Sequence, residues 1–161
     1  MHGTKYSPYL PMYGNKMIAC RFCQLEMWGV TRNVTWTTMN QTANIGDDFI
    51  ILNEYTDWQV GEEIVIPGTV YGNNQTETRH IAGVNGTTIY LDSPLEYQHL
   101  SVIKNFGGID MPMQDEVGLL TRNVLFRGDP ETSIPNQYGA HIMVSSPGDD
   151  SSIGHICYIE L

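Results

Sequence analysis

Val117-Gly-Leu-Leu-Thr-Arg-Asn-Val-Leu-Phe126, continued by Arg127-Gly128-Asp129, is among the longest apolar runs of the chain, and its reading decides the fold. Asp115-Glu116 ahead of Val117, Leu120 and Val124 offers a helix start, with carboxylates near the positive end and apolar residues three and four apart. Gly118 and the β-favouring Asn123-Val-Leu-Phe126 argue for strand instead. The same stretch repeats Thr31-Arg-Asn-Val34 as Thr121-Arg-Asn-Val124, and the first copy sits among short strand-like segments. If both copies are rungs of one scaffold, most of the sequence between them is an insertion, and the copies lie together in space. Leu120 is then expected inside the scaffold, where Leu120→Asp would bury an unpaired charge.

The chain around this stretch is rich in turns. Sixteen glycines and eight prolines punctuate 161 residues, which points to a β protein that needs neither metal nor disulfide to fold. Residues 1–15 read as an extended connector. Met17-Ile-Ala-Cys20 and Leu25-Glu-Met-Trp28 read as short strands closed by Gly29, and Thr31-Arg-Asn-Val-Thr-Trp36 as another with Trp36 inward. From 37 to 106, strands alternate with turns as in a small antiparallel sheet or barrel. There Asn85-Gly86 predicts a type I′ hairpin in which Ala82 faces Ile89 and Val84 faces Thr87. Strand-like segments then recur at Leu125, Met143 and Cys157, at intervals of 18 and 14 residues. Such spacing suits successive coils of a solenoid over 107–161, continuing coils begun at 16–36. The chain stops on a strand and reads as an excerpt of a longer protein.

Eight basic against 18 acidic residues, net −10, exclude a nucleic-acid-tracking surface. No apolar run suggests a membrane span and no signal core opens the chain. Four Asn-x-Thr triplets, at Asn33, Asn40, Asn74 and Asn85, are glycosylation candidates and suit an extracellular domain. Cys20-x-x-Cys23 lacks the second ligand pair of a zinc site and the helix of a thioredoxin-like dithiol; buried or variable free thiols are the expectation. Asp47-Asp48, Glu62-Glu63 and Asp149-Asp150 invite a calcium reading, but none has a full ligand spacing, so no cofactor is expected.

Pro11-Met-Tyr-Gly-Asn-Lys16, Val34-Thr-Trp-Thr37, Asp57-Trp-Gln-Val-Gly-Glu-Glu-Ile-Val-Ile66, Leu91-Asp-Ser-Pro-Leu-Glu-Tyr97, Glu116-Val-Gly-Leu-Leu-Thr-Arg-Asn-Val124, Gly128-Asp129 and Tyr138-Gly-Ala-His-Ile-Met143 together resemble the fibrocystin-like, G8-domain-containing proteins. The resemblance covers nearly the whole chain. It implies that residues 1–15 end a G8 domain. It implies an all-β fold for the rest, a right-handed parallel β-helix interrupted by a small antiparallel β-barrel-like insert. It also implies a secreted or cell-surface ectodomain whose neighbours are G8 and β-helix segments of the same protein. Relatives include hyaluronan-binding and hyaluronan-degrading proteins. This chain departs from the pattern at Trp28-Gly29, where relatives usually have His-Gly, and at Asp110-Met-Pro-Met-Gln-Asp-Glu-Val117, where they commonly read Asp-Met-Arg-Ala-Glu-Val.

Glycoside cleavage needs two suitably spaced carboxyl groups. Asp110, Asp115 and Glu116 are close in sequence, and Arg122 and His141 fall on neighbouring expected coils, so these five are the candidates for one groove. Two readings follow. The preferred one is a noncatalytic structural and recognition segment presenting a face to an extracellular glycan or protein partner. The alternative is a glycoside hydrolase acting on a hyaluronan-type polysaccharide through those five residues.

Overall fold

The computed structural model describes residues 1–71 and 74–161. In chain order the elements are β1 (Met17–Arg21), β2 (Gln24–Trp28), β3 (Trp36–Thr38), β4 (Phe49–Ile51), β5 (Glu63–Ile66), β6 (Glu77–Asn85), β7 (Thr88–Leu91), β8 (Ser101–Phe106), β9 (Ile109–Gln114), β10 (Glu116–Leu119), α1 (Pro130–Asn136), β11 (His141–Ser145) and β12 (Ile153–Cys157). They divide into a continuous unit, Arg32–Thr121, and a split unit, Met1–Thr31 with Arg122–Leu161. Both boundaries fall inside the Thr-Arg-Asn-Val repeats.

In the continuous unit six strands form one antiparallel sheet in the order β3-β10-β5-β6-β7-β4. Its two edges approach each other through the Met39–Leu52 bridge, where Asn40 N–H donates to Ile51 O at 2.8 Å and Asn53 N–H to Thr38 O at 3.0 Å. The sheet therefore curls into a half-barrel. Period-two alternation sends Ile64 and Ile66 of β5, Ile81 of β6, Ile89 and Leu91 of β7, and Val117 and Leu119 of β10 inward. These join Met39, Ile50, Leu52, Trp58 and Leu95 in one apolar core. Trp58 keeps its indole N–H satisfied by Val34 O at 2.7 Å. β8 and β9 form a separate hairpin, turned by Gly107 (φ 62) and Gly108 (φ 95), whose shared positive φ only glycine adopts cheaply.

The split unit is built differently. β1 pairs in parallel with β11, Met17 opposite His141 through Arg21 opposite Ser145. β2 pairs in parallel with β12, Gln24 opposite Ile153 through Trp28 opposite Cys157. Lys16, 7% exposed, ties this unit together: its Nζ donates to Ser133 Oγ at 2.6 Å, Tyr138 O at 3.1 Å and Thr132 Oγ1 at 3.3 Å. Those acceptors lie on or just after α1, whose N-cap Asp129 accepts from Thr132 N–H. Cys20 and Cys23 form a disulfide and Cys157 is free, so the expected pair of free thiols is corrected at those two positions.

These observations overturn the expected parallel β-helix. Among the described residues no parallel sheet exceeds two strands, whereas a solenoid needs interior strands paired on both sides. The stretch expected to resume the solenoid belongs in its first half to the antiparallel sheet: β10 lies between β3 and β5, with Val117 opposite Thr37 and Leu119 opposite Ile64. Leu120, the next residue, is 40% exposed, so the premise that Asp at this position would be buried fails. Trp36 is 60% exposed, because β3 turns Thr37 inward instead. The β6–β7 turn lies one residue further along than expected and the pairing is offset by two, with Val84 opposite Ile89 and Asn85 opposite Thr88. A register irregularity between Ile81 and Gly83 absorbs Ala82. The loop is Gly86-Thr87, with positive φ at Gly86 (φ 65) alone, the requirement of a type II′ turn and not of type I′.

Candidate functional site

The densest group of ionisable side chains lies inside the continuous unit, and strand geometry places it there. Glu77, Arg79 and Ile81 share one face of β6, so the alternation that buries Ile81 also turns Glu77 inward, to 4% exposure. Its carboxylate accepts from Tyr97 N–H at 2.8 Å and Glu96 N–H at 2.9 Å, and it is ion-paired with Arg79. His99 is fully buried and is fixed by two backbone hydrogen bonds with Ala43. Its Nε2 faces Glu77 Oε1 at 3.1 Å; its Nδ1 faces Asp115 Oδ2 at 2.9 Å and Pro67 O at 2.8 Å. Asp115 is anchored in turn by Ser101 Oγ, which accepts its backbone N–H at 2.8 Å.

The partners of the ring are a carbonyl and two carboxyl groups, an arrangement that favours a proton on each ring nitrogen and hence the imidazolium form. Burial pushes its pKa down, but the hydrogen bonds to Asp115 and Glu77 and the Asp115 charge outweigh burial and raise it. For Glu77, burial pushes upward, and the N–H groups of Glu96 and Tyr97, with His99 and Arg79, more than offset it, so its pKa is lowered. A general base needs a ring nitrogen with a free lone pair in reach of substrate. His99 has neither. The group acts as a buried charge node that ties together the start of β6, the 95–99 loop and the junction between β9 and β10.

Of the five candidates named from sequence, only Asp115 joins this node. Asp110 sits exposed on β9 and accepts from Asn105 Nδ2 at 2.6 Å. Glu116 is exposed at the start of β10, its N–H donating to Asp115 Oδ1 at 2.9 Å. These three belong to the continuous unit, whereas Arg122 and His141 belong to the split unit. His141 opens β11 half-buried, with Nε2 3.4 Å from Tyr13 O, and Arg122 is half-buried. A cleft of about 370 Å³ adjoins Asp115, lined by Gly68, Thr69, Leu100, Pro112, Met113 and Gln114. It brings no second carboxylate to Asp115. Sequence reasoning missed His99, Glu77 and Arg79. The available signal was Glu77 in phase with Ile81, a charge on the buried side of an alternating strand.

Asn33, Asn40, Asn74 and Asn85 are all exposed and all lie in the continuous unit. Asp47, Glu62 and Asp149 hold neighbouring N–H groups: Asp47 accepts from Asn44, Glu62 from Gln59 and Arg32, and Asp149 from Ser151. Among the described residues no group of three or more His, Cys, Asp or Glu is placed to hold a metal ion, and no helix is long and apolar enough to cross a membrane.

No protein-family model matches the chain. Individual proteins do, among them the following three. It is 37% identical over 145 residues to human Fibrocystin-L, covering 87% of this chain and 3% of that protein. It is 34% identical over 158 residues to a G8 domain-containing protein of Dictyostelium discoideum, covering 94% of this chain and 10% of the relative. It is 33% identical over 199 residues to mouse Fibrocystin-L, covering all of this chain and 5% of the relative. The chain thus spans a tenth or less of each of these proteins, and it belongs to the fibrocystin-like, G8-domain-containing family.

Proposed function

We propose that this segment of the fibrocystin-like, G8-domain-containing family serves as a noncatalytic structural and recognition part of a larger cell-surface or secreted protein, offering a face to a glycan or protein partner. The observation that carries this reading is the saturation of the His99–Asp115–Glu77 node. His99, Asp115 and Glu77, which could have done acid–base work, are spent on holding β6, the 95–99 loop and β10 together. An extracellular setting is supported by the exposure of all four Asn-x-Thr asparagines. Their modification would clothe the continuous unit in glycans and leave the split unit bare, since every acceptor lies within Arg32–Thr121. Neighbouring segments of the same full-length protein are the nearest partners under this reading.

Incubating the purified protein with hyaluronan, followed by size analysis of the polymer, tests the noncatalytic role. Unchanged polymer length is expected. Shortening that disappears in Glu116→Gln, a substitution at an exposed carboxylate, would overturn it.

A further inference from the structure

The exposed face of β2 carries a second group of side chains, remote in sequence from the buried node. Gln24, Glu26 and Trp28 alternate outward with half-buried Leu25 and Met27 between them. The parallel register with β12 sets His155 opposite Glu26 and Ile153 opposite Gln24. Glu26 is the hub: its Oε1 accepts from Gln24 Nε2 at 2.5 Å and faces His155 Nδ1 at 2.8 Å, and its Oε2 accepts from Trp28 Nε1 at 2.6 Å. The Trp28 and His155 rings lie 5.8 Å apart, tilted by 48°.

The indole is pinned while 58% of Trp28 stays exposed. Its backbone is pinned as well. Gly29 N–H donates to Cys157 O at 2.9 Å, and a Cβ on Gly29 would lie 1.8 Å from the Tyr158 carbonyl oxygen. A large aromatic surface held rigid in solvent loses little conformational entropy on binding.

We propose that Trp28, Glu26, Gln24 and His155 form a binding site for a neutral, pyranose-based glycan, an inference that rests on the recognition role above and names its ligand class. A pyranose has an apolar C–H face that fits the indole and a rim of hydroxyls that need both acceptors and donors. Glu26 supplies the acceptor, the Gln24 amide supplies both functions, and the half-exposed His155 imidazole stands beside Glu26. The hydrogen bonds from Gln24, His155 and Trp28 hold the Glu26 carboxyl below the usual carboxylate range. An anionic uronate would meet that charge and the net −10 of the chain. A purely apolar ligand would strip water from it without replacement. A quaternary ammonium would find one indole face where recognition of such cations uses an aromatic cage.

The test is binding of the purified protein to an array of neutral, sulfated and uronate-containing oligosaccharides, with Trp28→Ala, Trp28→Tyr and Glu26→Gln compared with the parent and thermal unfolding as the folding control. Neutral glycans are expected to bind. Affinity should fall about tenfold in Trp28→Ala and be largely kept in Trp28→Tyr, which restores a flat ring. Glu26→Gln keeps the tryptophan but removes one acceptor oxygen and the charge and should weaken binding, so the proposal stays open to test even if one tryptophan variant does not fold. Undiminished neutral-glycan binding by folded Trp28→Ala and Glu26→Gln would overturn this site while leaving a recognition role intact. Binding confined to anionic glycans would overturn the ligand class, and absence of any glycan binding would overturn the site. Depolymerisation of hyaluronan, measured separately, is the result that removes the noncatalytic reading itself.

Discussion

The two units solve the problem of holding short strands together in opposite ways. The continuous unit curls six antiparallel strands around a core of Met39, Ile50, Leu52, Ile64, Ile66, Ile81 and Ile89, so burial of apolar surface is its main source of cohesion. The split unit has two parallel pairs whose residues Trp28, Val144, Ile153 and Ile156 remain exposed. Its buried side chains, among the described residues, are Asn15, Lys16 and Cys20. Its order comes from backbone register, the Lys16 hydrogen bonds, a disulfide and the close approach at Gly29. The difference teaches where to look for function: the His99–Glu77–Asp115 charges of the continuous unit are turned inward and neutralised, while the Gln24, Glu26, Trp28 and His155 side chains of the split unit face solvent.

The largest break in this comparison is expected at the buried node. His99→Ala leaves Glu77 and Asp115 without their shared cation and should cost about 3–5 kcal/mol, the range for an interrupted buried charge pair. Denaturant unfolding measures this, and a loss within the error of the parent curve would show that the node is dispensable.

Gly29→Ala ranks next. Its Cβ must displace the Tyr158 carbonyl, a backbone atom, and overpacking of this kind costs about 1–3 kcal/mol. Amide hydrogen exchange should show faster opening of β2 and β12, with β5, β6 and β10 unchanged. Equal acceleration in both sets would erase the distinction drawn between the units.

The pH dependence sharpens the comparison further. His99 has a raised pKa in the folded state, so its contribution is complete below its unfolded value of about 6.5 and is lost as pH rises through the folded value. Glu77 has a lowered pKa, so its contribution is present above its unfolded value of about 4.3 and is lost as pH falls through the folded value. Together they place the continuous unit's best stability between about pH 4.3 and 6.5, with decline on either side. In His99→Leu, the decline above that window should flatten in thermal melts; an unaltered alkaline limb would assign it to another group.

The smallest effect is expected at Leu120. Because it is 40% exposed, Leu120→Asp should shift stability by no more than about 0.5 kcal/mol, as ordinary surface substitutions do. Collapse of the fold in circular dichroism would restore the buried position first assigned to it.

Much of the β architecture was legible in short apolar runs cut by glycine and proline, and the Thr-Arg-Asn-Val repeat marked both crossings between the units. Val30 N–H donates to Asn123 Oδ1 at 2.6 Å in the split unit, and Glu63 N–H to Thr121 Oγ1 at 2.7 Å in the continuous one. The candidate site was less legible. Asp115 was named, but its partners His99 and Glu77 stand 16 and 38 residues away in sequence, in segments that carry no catalytic or metal-binding spacing. Trp28 was noted only as a departure from a family pattern, because nothing local announces that His155 lies beside it.

By itself, the sequence determined that this is a β-rich, acidic chain of the fibrocystin-like family, with four Asn-x-Thr triplets and turns at many of its glycines. Only the tertiary structure decided which strand lies beside which. Alternation along a strand says which side chains share a face, and it is the same whether the neighbour runs parallel or antiparallel. The partner is chosen by long-range hydrogen bonding and burial. That choice put Val117 and Leu119 into an antiparallel half-barrel in place of a solenoid, moved the turn at Gly86 by one residue, and turned Trp36 outward and His99 inward.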